Sequence, residues 1–162
     1  QSERAPDNIL RLSEMLRYVL YDCNESLVPL RKEVQYIRNY VHLFRLKDST
    51  GLKITLELDE SQPELAIAPM LFIPFVENAF KHSKIEDNDH GWVTIKMTVG
   101  NRQITYDVSN SRPGQDFHKD ATGGIGIENV RRRLELLYPG RYNLDVQQNE
   151  ETYRVTLLLT LS

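Results

Sequence analysis

Two pairs of alternating apolar segments, separated by a loop and a helix, constrain the fold of this chain most strongly. In the first pair every second residue is apolar over 93–99 and 104–108, and Gly100-Asn101 between them predicts a tight hairpin turn. The second pair covers 142–146 and 153–159. Strands joined as hairpins are antiparallel, whereas a strand–helix–strand repeat builds a parallel sheet. The order therefore argues against a dinucleotide-binding crevice of the doubly wound type.

Helical spacing of apolar residues adds four helices and one further strand to this pattern. The helices cover about residues 7–21, the residues between Pro29 and Asp48, residues 69–82 and about 126–137, and the strand covers residues 52–58. Pro74 lies inside the third predicted helix, where it should remove one backbone hydrogen bond and bend the first turns. The expected fold class is α+β: a two-layer α/β sandwich in which a mixed, mostly antiparallel sheet of about five strands packs on three helices, plus an N-terminal helix.

The composition is that of an ordinary globular chain without a basic surface. Of the 162 residues, 40% are hydrophobic and 27% are charged, which is enough apolar material for one compact domain. The net charge of −3 provides no general attraction for an acidic membrane surface or for nucleic acid, which is not an expected partner. Cys23 has no second cysteine to pair with, and the chain has neither a run of about 18 apolar residues nor a signal-peptide pattern. These features are typical of a cytoplasmic domain.

The third predicted helix carries polar residues that suit a metal–phosphate complex. Asn78, Lys81 and His82 are three and four positions apart, so they share one helix face. Magnesium takes one or two protein oxygens together with phosphate oxygens, and a single amide backed by a lysine is adequate for this. The same residues also suit the solvated polar face of a surface helix, and their types alone leave both interpretations open.

A second candidate site lies where glycines precede the fourth predicted helix. Gly123, Gly124 and Gly126 allow backbone N–H groups to approach an anion, and the helix dipole adds partial positive charge at the same place. A phosphate group fits such a site. A flexible hinge before a helix has the same sequence, so this alternative stays open.

In combination, the two sites resemble the ATP-binding region of a known family. The segments are PMLFIPFVENAFKHS and, after two predicted strands, GGIGIENVRRRLELLYPG. They closely resemble the N box and the second glycine box of LytS-like sensor histidine kinases, whose C-terminal catalytic domain has the Bergerat, or GHKL-type, ATP-binding fold. The segments LSEMLRYVLYD and EVQYIRNYVHLFRLK are also similar to parts of that family, so the resemblance covers nearly the whole chain.

The resemblance implies roles for individual residues of the two boxes. Asn78 would coordinate Mg²⁺, with Lys81 and His82 near the phosphates of ATP, and residues 111–122 would form the lid over the nucleotide. Glu77 and Lys81 are the candidate catalytic residues. The polyphosphate would be bound by Gly123, Gly124 and Gly126, and Arg133 would support the lid helix.

Two positions depart from the family pattern. Many histidine kinases have an aspartate that accepts a hydrogen bond from the adenine amino group, and Asn110 stands at that position. Its carbonyl can accept the adenine N–H and its amide can donate to a ring nitrogen, but the contact is weaker without the charge. Related ATPases place a water-activating glutamate one turn before the metal-binding asparagine, where this chain has Pro74. Fast ATP hydrolysis is therefore not expected, whereas phosphoryl transfer relies on positioning and charge neutralisation.

The expected function is that of the ATP-binding catalytic domain of a two-component sensor histidine kinase. Such a domain transfers the γ-phosphoryl group of Mg-ATP to a histidine, and a response regulator then receives it. The acceptor is expected upstream of residue 1, because no histidine of the chain resembles the family's phosphoacceptor segment. The four histidines are His42, His82, His90 and His118. The alternative is a degenerate nucleotide-binding or interaction module of the same fold that does not transfer phosphate.

The N-terminal segment is expected to be what remains of a dimerisation helix. Ile9, Leu12, Leu16 and Val19 have the spacing of a coiled-coil seam, although an ordinary amphipathic helix gives the same pattern. The resemblance implies a homodimer through these helices, with residues 1–26 as dimerisation helix and linker and residues 27–162 as the catalytic domain. The parent protein is expected in the bacterial inner membrane, with this domain on the cytoplasmic side.

Overall fold

The structure is a computed structural model that describes residues 4–47, 53–83, 91–112 and 124–161. Within these ranges the α-helices are α1 (Arg4–Leu20), α2 (Leu30–Leu46), α3 (Ile73–Ser83) and α4 (Gly124–Leu137), and a short 3-10 helix covers Asp22–Asn24. The strands are β1 (Val28–Pro29), β2 (Lys53–Leu58), β3 (Ala66–Ile67), β4 (Trp92–Gly100), β5 (Gln103–Ser111), β6 (Tyr142–Gln148) and β7 (Thr152–Thr160). The chain divides into two compact units, one formed by Gln1–Gly51 and Gln62–Ile73 and the other by Leu52–Ser61 and Pro74–Ser162. The predicted boundary between residues 26 and 27 stays a prediction.

The first unit contains α1, α2 and a two-stranded sheet. In this sheet β1 pairs antiparallel with β3. Pro29 immediately precedes α2, where its missing N–H costs no helical hydrogen bond. The helices α1 and α2 are in contact, and Tyr18 of α1 is buried. The apolar stripe of α2 is also buried: Leu30, Val34, Ile37 and Val41. The predicted seam residues of α1 are exposed instead: Ile9 by 66%, Leu12 by 49%, Leu16 by 53% and Val19 by 42%.

The second unit is built on a five-stranded sheet with the strand order β2-β4-β5-β7-β6. β2 runs parallel to β4, and the other neighbours pair antiparallel. One face of the sheet is apolar, because Ile95, Tyr106 and Leu157 on the three central strands are all buried. The α+β prediction with a mixed, mostly antiparallel sheet of about five strands is confirmed.

Two helices of the second unit contribute to the core on this apolar face. The ring of Phe75 in α3 meets the ring of Tyr106 in β5 edge to face, with the ring centroids 5.7 Å apart. In α4, Ile127, Val130 and Leu134 are buried, and the helix contacts β6. The third helix of the predicted layer, α2, belongs to the first unit.

Two local predictions are wrong in detail. The β4–β5 hairpin turns at Asn101 and Arg102, whose φ angles are 52° and 60°, while Gly100 is still paired with Gln103. Two consecutive residues with positive φ fit the turn type that matches the twist of a hairpin. The helix α3 begins at Ile73 and not near residue 69, so Pro74 lies in its first turn, where no backbone hydrogen bond is lost.

No helix of the described ranges is long and apolar enough to cross a lipid bilayer.

Candidate functional site

The helix α3 separates a buried apolar face from a polar face. Phe75, Val76, Ala79 and Phe80 are buried, and they are spaced as a helix anchored in a core requires. The remaining positions carry the predicted polar residues. Asn78 and His82 are half-buried, and Glu77 and Lys81 are exposed.

Asn78 and Lys81 are available to a ligand. Neither the Asn78 amide nor the Lys81 ammonium group is engaged by a side-chain hydrogen bond or an ion pair with another residue of the described ranges. The Asn78 amide oxygen, a possible metal ligand, and the Lys81 cation thus lie on one side of α3, about one turn apart. This arrangement suits the predicted metal and phosphate contacts, whose assignment to these two residues stays a prediction.

Glu77 lies beside Asn78 and has a perturbed carboxyl group. Although the residue as a whole is exposed, partial removal of water around the carboxyl raises the pKa of Glu77 above its ordinary value of 4.5. The carboxyl group therefore keeps its proton to a higher pH than an ordinary glutamate does. The catalytic role assigned to Glu77 from the sequence stays a prediction.

Ser111 joins the end of α3 to the sheet. Its Oγ accepts a hydrogen bond from Trp92 N (2.9 Å) and lies 3.3 Å from the main-chain oxygen of Ser83, to which it can donate. These three residues are the last of α3, the first of β4 and the last of β5. The predicted lid segment therefore begins later than residue 111, because Ser111 is a buried strand residue. The link places the carboxyl end of β5 beside the carboxyl end of α3.

Asn110, the residue before this link, is 1% exposed. Its Nδ2 donates to the main-chain oxygen of Ser111 (2.8 Å), and no described residue donates to its Oδ1. Reversing the amide would bring Oδ1 against the Ser111 oxygen, two acceptors facing each other, so the orientation is determined. This bond uses one of the two Nδ2 hydrogens, so the donation of the amide to a ring nitrogen stays a prediction.

A buried side-chain oxygen without a donor requires an explanation. Most buried polar atoms in proteins have a hydrogen-bond partner, and leaving one unpaired is unfavourable. An arriving ligand that carries an N–H group would satisfy Asn110 Oδ1. A buried acceptor at this point thus fits a purine amino group, which donates.

The chain that leaves β5 is attached to the neighbouring hairpin. Arg112 N donates to the main-chain oxygen of Glu151 (2.7 Å), and Arg112 Nη1 donates to Gln148 Oε1 (2.9 Å). Residues 113–122 of the predicted lid, which include His118, lie outside the described residues, as do Gly123 and His90.

The first turn of α4 contains a glycine that packing does not require. Gly126 is exposed, and no described atom lies within 4 Å of the position that a Cβ would occupy. A glycine within a helix costs about 1 kcal/mol relative to alanine. The first N–H groups of a helix have no partner within the helix, so this turn can offer backbone donors to an anion. Arg133, further along α4, is half-buried, and its predicted support of the lid stays a prediction.

Comparison with known proteins identifies the family. A family model described as histidine kinase matches residues 1–50. The sensor protein kinase HptS of Staphylococcus aureus is 31% identical over 166 residues, which cover 92% of this chain and 32% of HptS. The sensor protein LytS of Oceanobacillus iheyensis is 23% identical over 171 residues, which cover 98% of this chain and 29% of that LytS. The chain is homologous to a segment of the LytS and HptS sensor histidine kinases. It spans about a third of the length of these curated relatives.

Solved structures of histidine kinases show the same fold. The histidine kinase domain of the blue-light activated histidine kinase EL346 of Erythrobacter litoralis has a TM-score of 0.58 at 18% identity, covering 82% of this chain and 61% of that one. The histidine kinase AdeS of Acinetobacter baumannii has a TM-score of 0.57 at 15% identity, covering 99% and 78% of the two chains. The family and the fold class predicted from the sequence are confirmed.

Proposed function

We propose that this histidine kinase chain binds Mg-ATP in its second unit, and that the longer protein uses the γ-phosphoryl group to phosphorylate a histidine. The buried Oδ1 of Asn110 carries the proposal, because no described residue donates to it. We assign this oxygen as the acceptor for the adenine amino group. A neutral acceptor makes a weaker bond than the aspartate common in this family, so moderate affinity for ATP is expected.

The phosphate end of the nucleotide would be held by the polar side of α3 and the start of α4. Asn78 would supply one oxygen ligand to Mg²⁺, and Lys81, with no ion-pair partner in the described ranges, would balance phosphate charge. Backbone N–H groups at Gly124 and Gly126 would contact phosphate oxygens. Bound magnesium supplies neutralisation of the charge on the transferred group. Glu77 and Lys81 remain the candidates for direct participation in the transfer.

The exposed seam of α1 supports the proposed homodimer. Four large apolar residues along one helix form an exposed apolar stripe, and a second copy of the same helix would bury them. The acceptor histidine is proposed upstream of residue 1, with a response regulator as the next acceptor. A parent protein in the bacterial membrane, with this domain on the cytoplasmic side, is part of the same proposal.

One observation favours a second function. Asn110 replaces a charged adenine contact with a neutral one, as expected for a degenerate module that binds nucleotide without transferring phosphate. The two functions differ in whether phosphate reaches a protein side chain.

The experiment compares this chain with the longer protein that includes the upstream helical segment, both incubated with ATP labelled at the γ-phosphate. We expect the chain to bind ATP without becoming labelled, and the longer protein to acquire acid-labile label on a histidine upstream of residue 1. The control is the longer protein with that histidine replaced by alanine, which should stay unlabelled. Binding by both proteins without any label would establish the degenerate module, and labelling of His42, His82, His90 or His118 at a comparable rate would contradict the proposal.

A further inference from the structure

Glu33 of α2 is a buried carboxylate that holds two distant parts of the chain. The residue is 2% exposed. Tyr18 Oη donates to Glu33 Oε2, and Leu71 N donates to Glu33 Oε1 (3.0 Å). A carboxylate removed from water is tolerated only when donors replace the lost solvation, so both bonds matter to the folded state. The three residues all belong to the first unit.

The two donors come from segments with different roles. Tyr18 is the buried residue of α1, while its neighbours Leu16 and Val19 belong to the exposed seam. Leu71 lies two residues before Ile73, where α3 begins. The Glu33 carboxylate therefore connects α1, which carries the exposed seam, to the backbone segment that leads into α3.

The backbone next to Leu71 is in an uncommon conformation. Met70 has a φ of 58°, which L-residues other than glycine rarely adopt and which persists only where the surroundings impose it. Leu71 and Phe72, which follow, are 1% and 0% exposed. The Leu71–Glu33 hydrogen bond is thus one of the contacts that hold a strained, buried segment directly before α3.

We propose that Glu33 is a positioning residue that couples α1 to the start of α3. The functional part rests on the proposed ATP binding, because Asn78 lies about one and a half turns into α3. A displacement of α1 that separates Tyr18 from Glu33 removes a donor from the buried carboxylate, and opening of the Leu71 segment then becomes easier. By linkage, a nucleotide that orders α3 stabilises the Tyr18–Glu33 contact in return.

The test is amide hydrogen exchange measured by NMR on the 162-residue chain. Tyr18→Phe removes one hydroxyl group and keeps the ring, and Tyr21→Phe, at a position 68% exposed near the same helix end, is the matched control. We expect the Leu71 amide to exchange about tenfold faster in Tyr18→Phe, a ratio that corresponds to about 1.4 kcal/mol. The Tyr106 amide in the sheet should be unchanged, and Tyr21→Phe should match the wild type.

Two results would overturn the coupling within the first unit. One is an unchanged Leu71 exchange rate in Tyr18→Phe. The other is an equal acceleration at Leu71 and Tyr106, which would mean a general loss of stability. Glu33→Gln provides a second variant: if the two changes act through one cluster, the double variant should exchange more slowly than the product of the two single effects predicts.

A separate titration with Mg-ATP tests the functional part. We expect Tyr18→Phe to bind Mg-ATP about threefold to tenfold more weakly than the wild type, and Tyr21→Phe to bind equally well. Equal affinity in Tyr18→Phe and wild type would refute the coupling to α3. Absence of binding by the wild-type chain would refute the proposed function instead, and the exchange result at Leu71 would stand.

Discussion

The amide nitrogen of Asn110 donates to the main-chain oxygen of Ser111 (2.8 Å), and this bond fixes the direction in which the amide oxygen Oδ1 points. One Nδ2 hydrogen is used in this bond, and Oδ1 is a buried acceptor to which no described residue donates. An aspartate at the same position would offer an acceptor as well, but it would place a second oxygen against the Ser111 carbonyl. The asparagine thus keeps the acceptor of the family pattern and adds a bond that fixes its direction.

Asn110→Ala should weaken ATP binding by about tenfold, since it removes one hydrogen bond and leaves the adenine amino group without its acceptor. Isothermal titration with ATP measures the change, and circular dichroism confirms that the fold is retained. Asn143→Ala, at an exposed position of β6, is the control and should bind like the wild type. Unchanged affinity in Asn110→Ala would remove the adenine assignment.

Gly126→Ala should make the chain more stable and a weaker ATP binder. The added methyl group meets no described atom within 4 Å, so the gain in helix propensity of about 1 kcal/mol should raise the Tm by about 2–4 °C. The same methyl group would obstruct a phosphate approaching the first turn of α4. Thermal unfolding and ATP titration measure the two effects.

The control for this substitution is Gly140→Ala, which has equal space but a φ of 69°, so it should lower the Tm and leave ATP binding unaffected. If Gly126→Ala stabilises the chain without any loss of ATP affinity, the phosphate does not lie against this turn.

Glu77 should make stability depend on pH in a direction opposite to that of a salt-bridged carboxylate. Its pKa is raised in the folded state, so the folded chain binds more protons than the unfolded chain just above the ordinary value of 4.5. The Glu77 contribution to stability is therefore most favourable below pH 4.5 and declines as the pH rises through the raised pKa. Above that point the contribution is constant.

Urea unfolding of wild type and Glu77→Gln at several pH values measures this contribution as the difference between the two curves. Glu150→Gln, an exposed change beside the β6–β7 turn, is the control. Parallel curves for wild type and Glu77→Gln across the acid range would show that Glu77 does not titrate with a raised pKa.

The regular elements of this chain were accessible from the sequence because each has a local period. Alternation of apolar residues identified the strands of the sheet, and the helix before the closing hairpin followed from Ile127, Val130 and Leu134. Turn chemistry was less decisive. Gly100-Asn101 is a common hairpin pair, yet the pairing of Gly100 with Gln103 between β4 and β5 places the turn one residue later. Arg102 therefore has a positive φ.

The contacts that organise the sites were not accessible, because they join residues far apart in the chain. The sequence places Ser111 in the predicted lid, because a single polar residue after a strand carries no sign that it will bond to the end of α3. The Glu33–Leu71 hydrogen bond joins residues 38 positions apart. From the sequence alone, Glu33 is indistinguishable from the other charged residues of an amphipathic helix. The residue types of Asn78 and Lys81 leave their roles open, and the resemblance to a family assigns those roles. The structure adds that Asn78 is half-buried, that Lys81 is exposed, and that neither has a side-chain partner within the described ranges.

The central claim is that α3 holds a metal-bound triphosphate through Asn78, and the most direct measurement is ATP affinity with and without magnesium in wild type and Asn78→Ala. Asn143→Ala serves as the control for loss of an exposed amide elsewhere. We predict that chelation of magnesium weakens ATP binding to the wild type and to Asn143→Ala by about tenfold or more. A tenfold change in affinity corresponds to a binding free energy of about 1.4 kcal/mol, here supplied by the metal-dependent contacts. Asn78→Ala should bind ATP equally weakly with and without the metal. Full magnesium dependence in a folded Asn78→Ala would contradict the account.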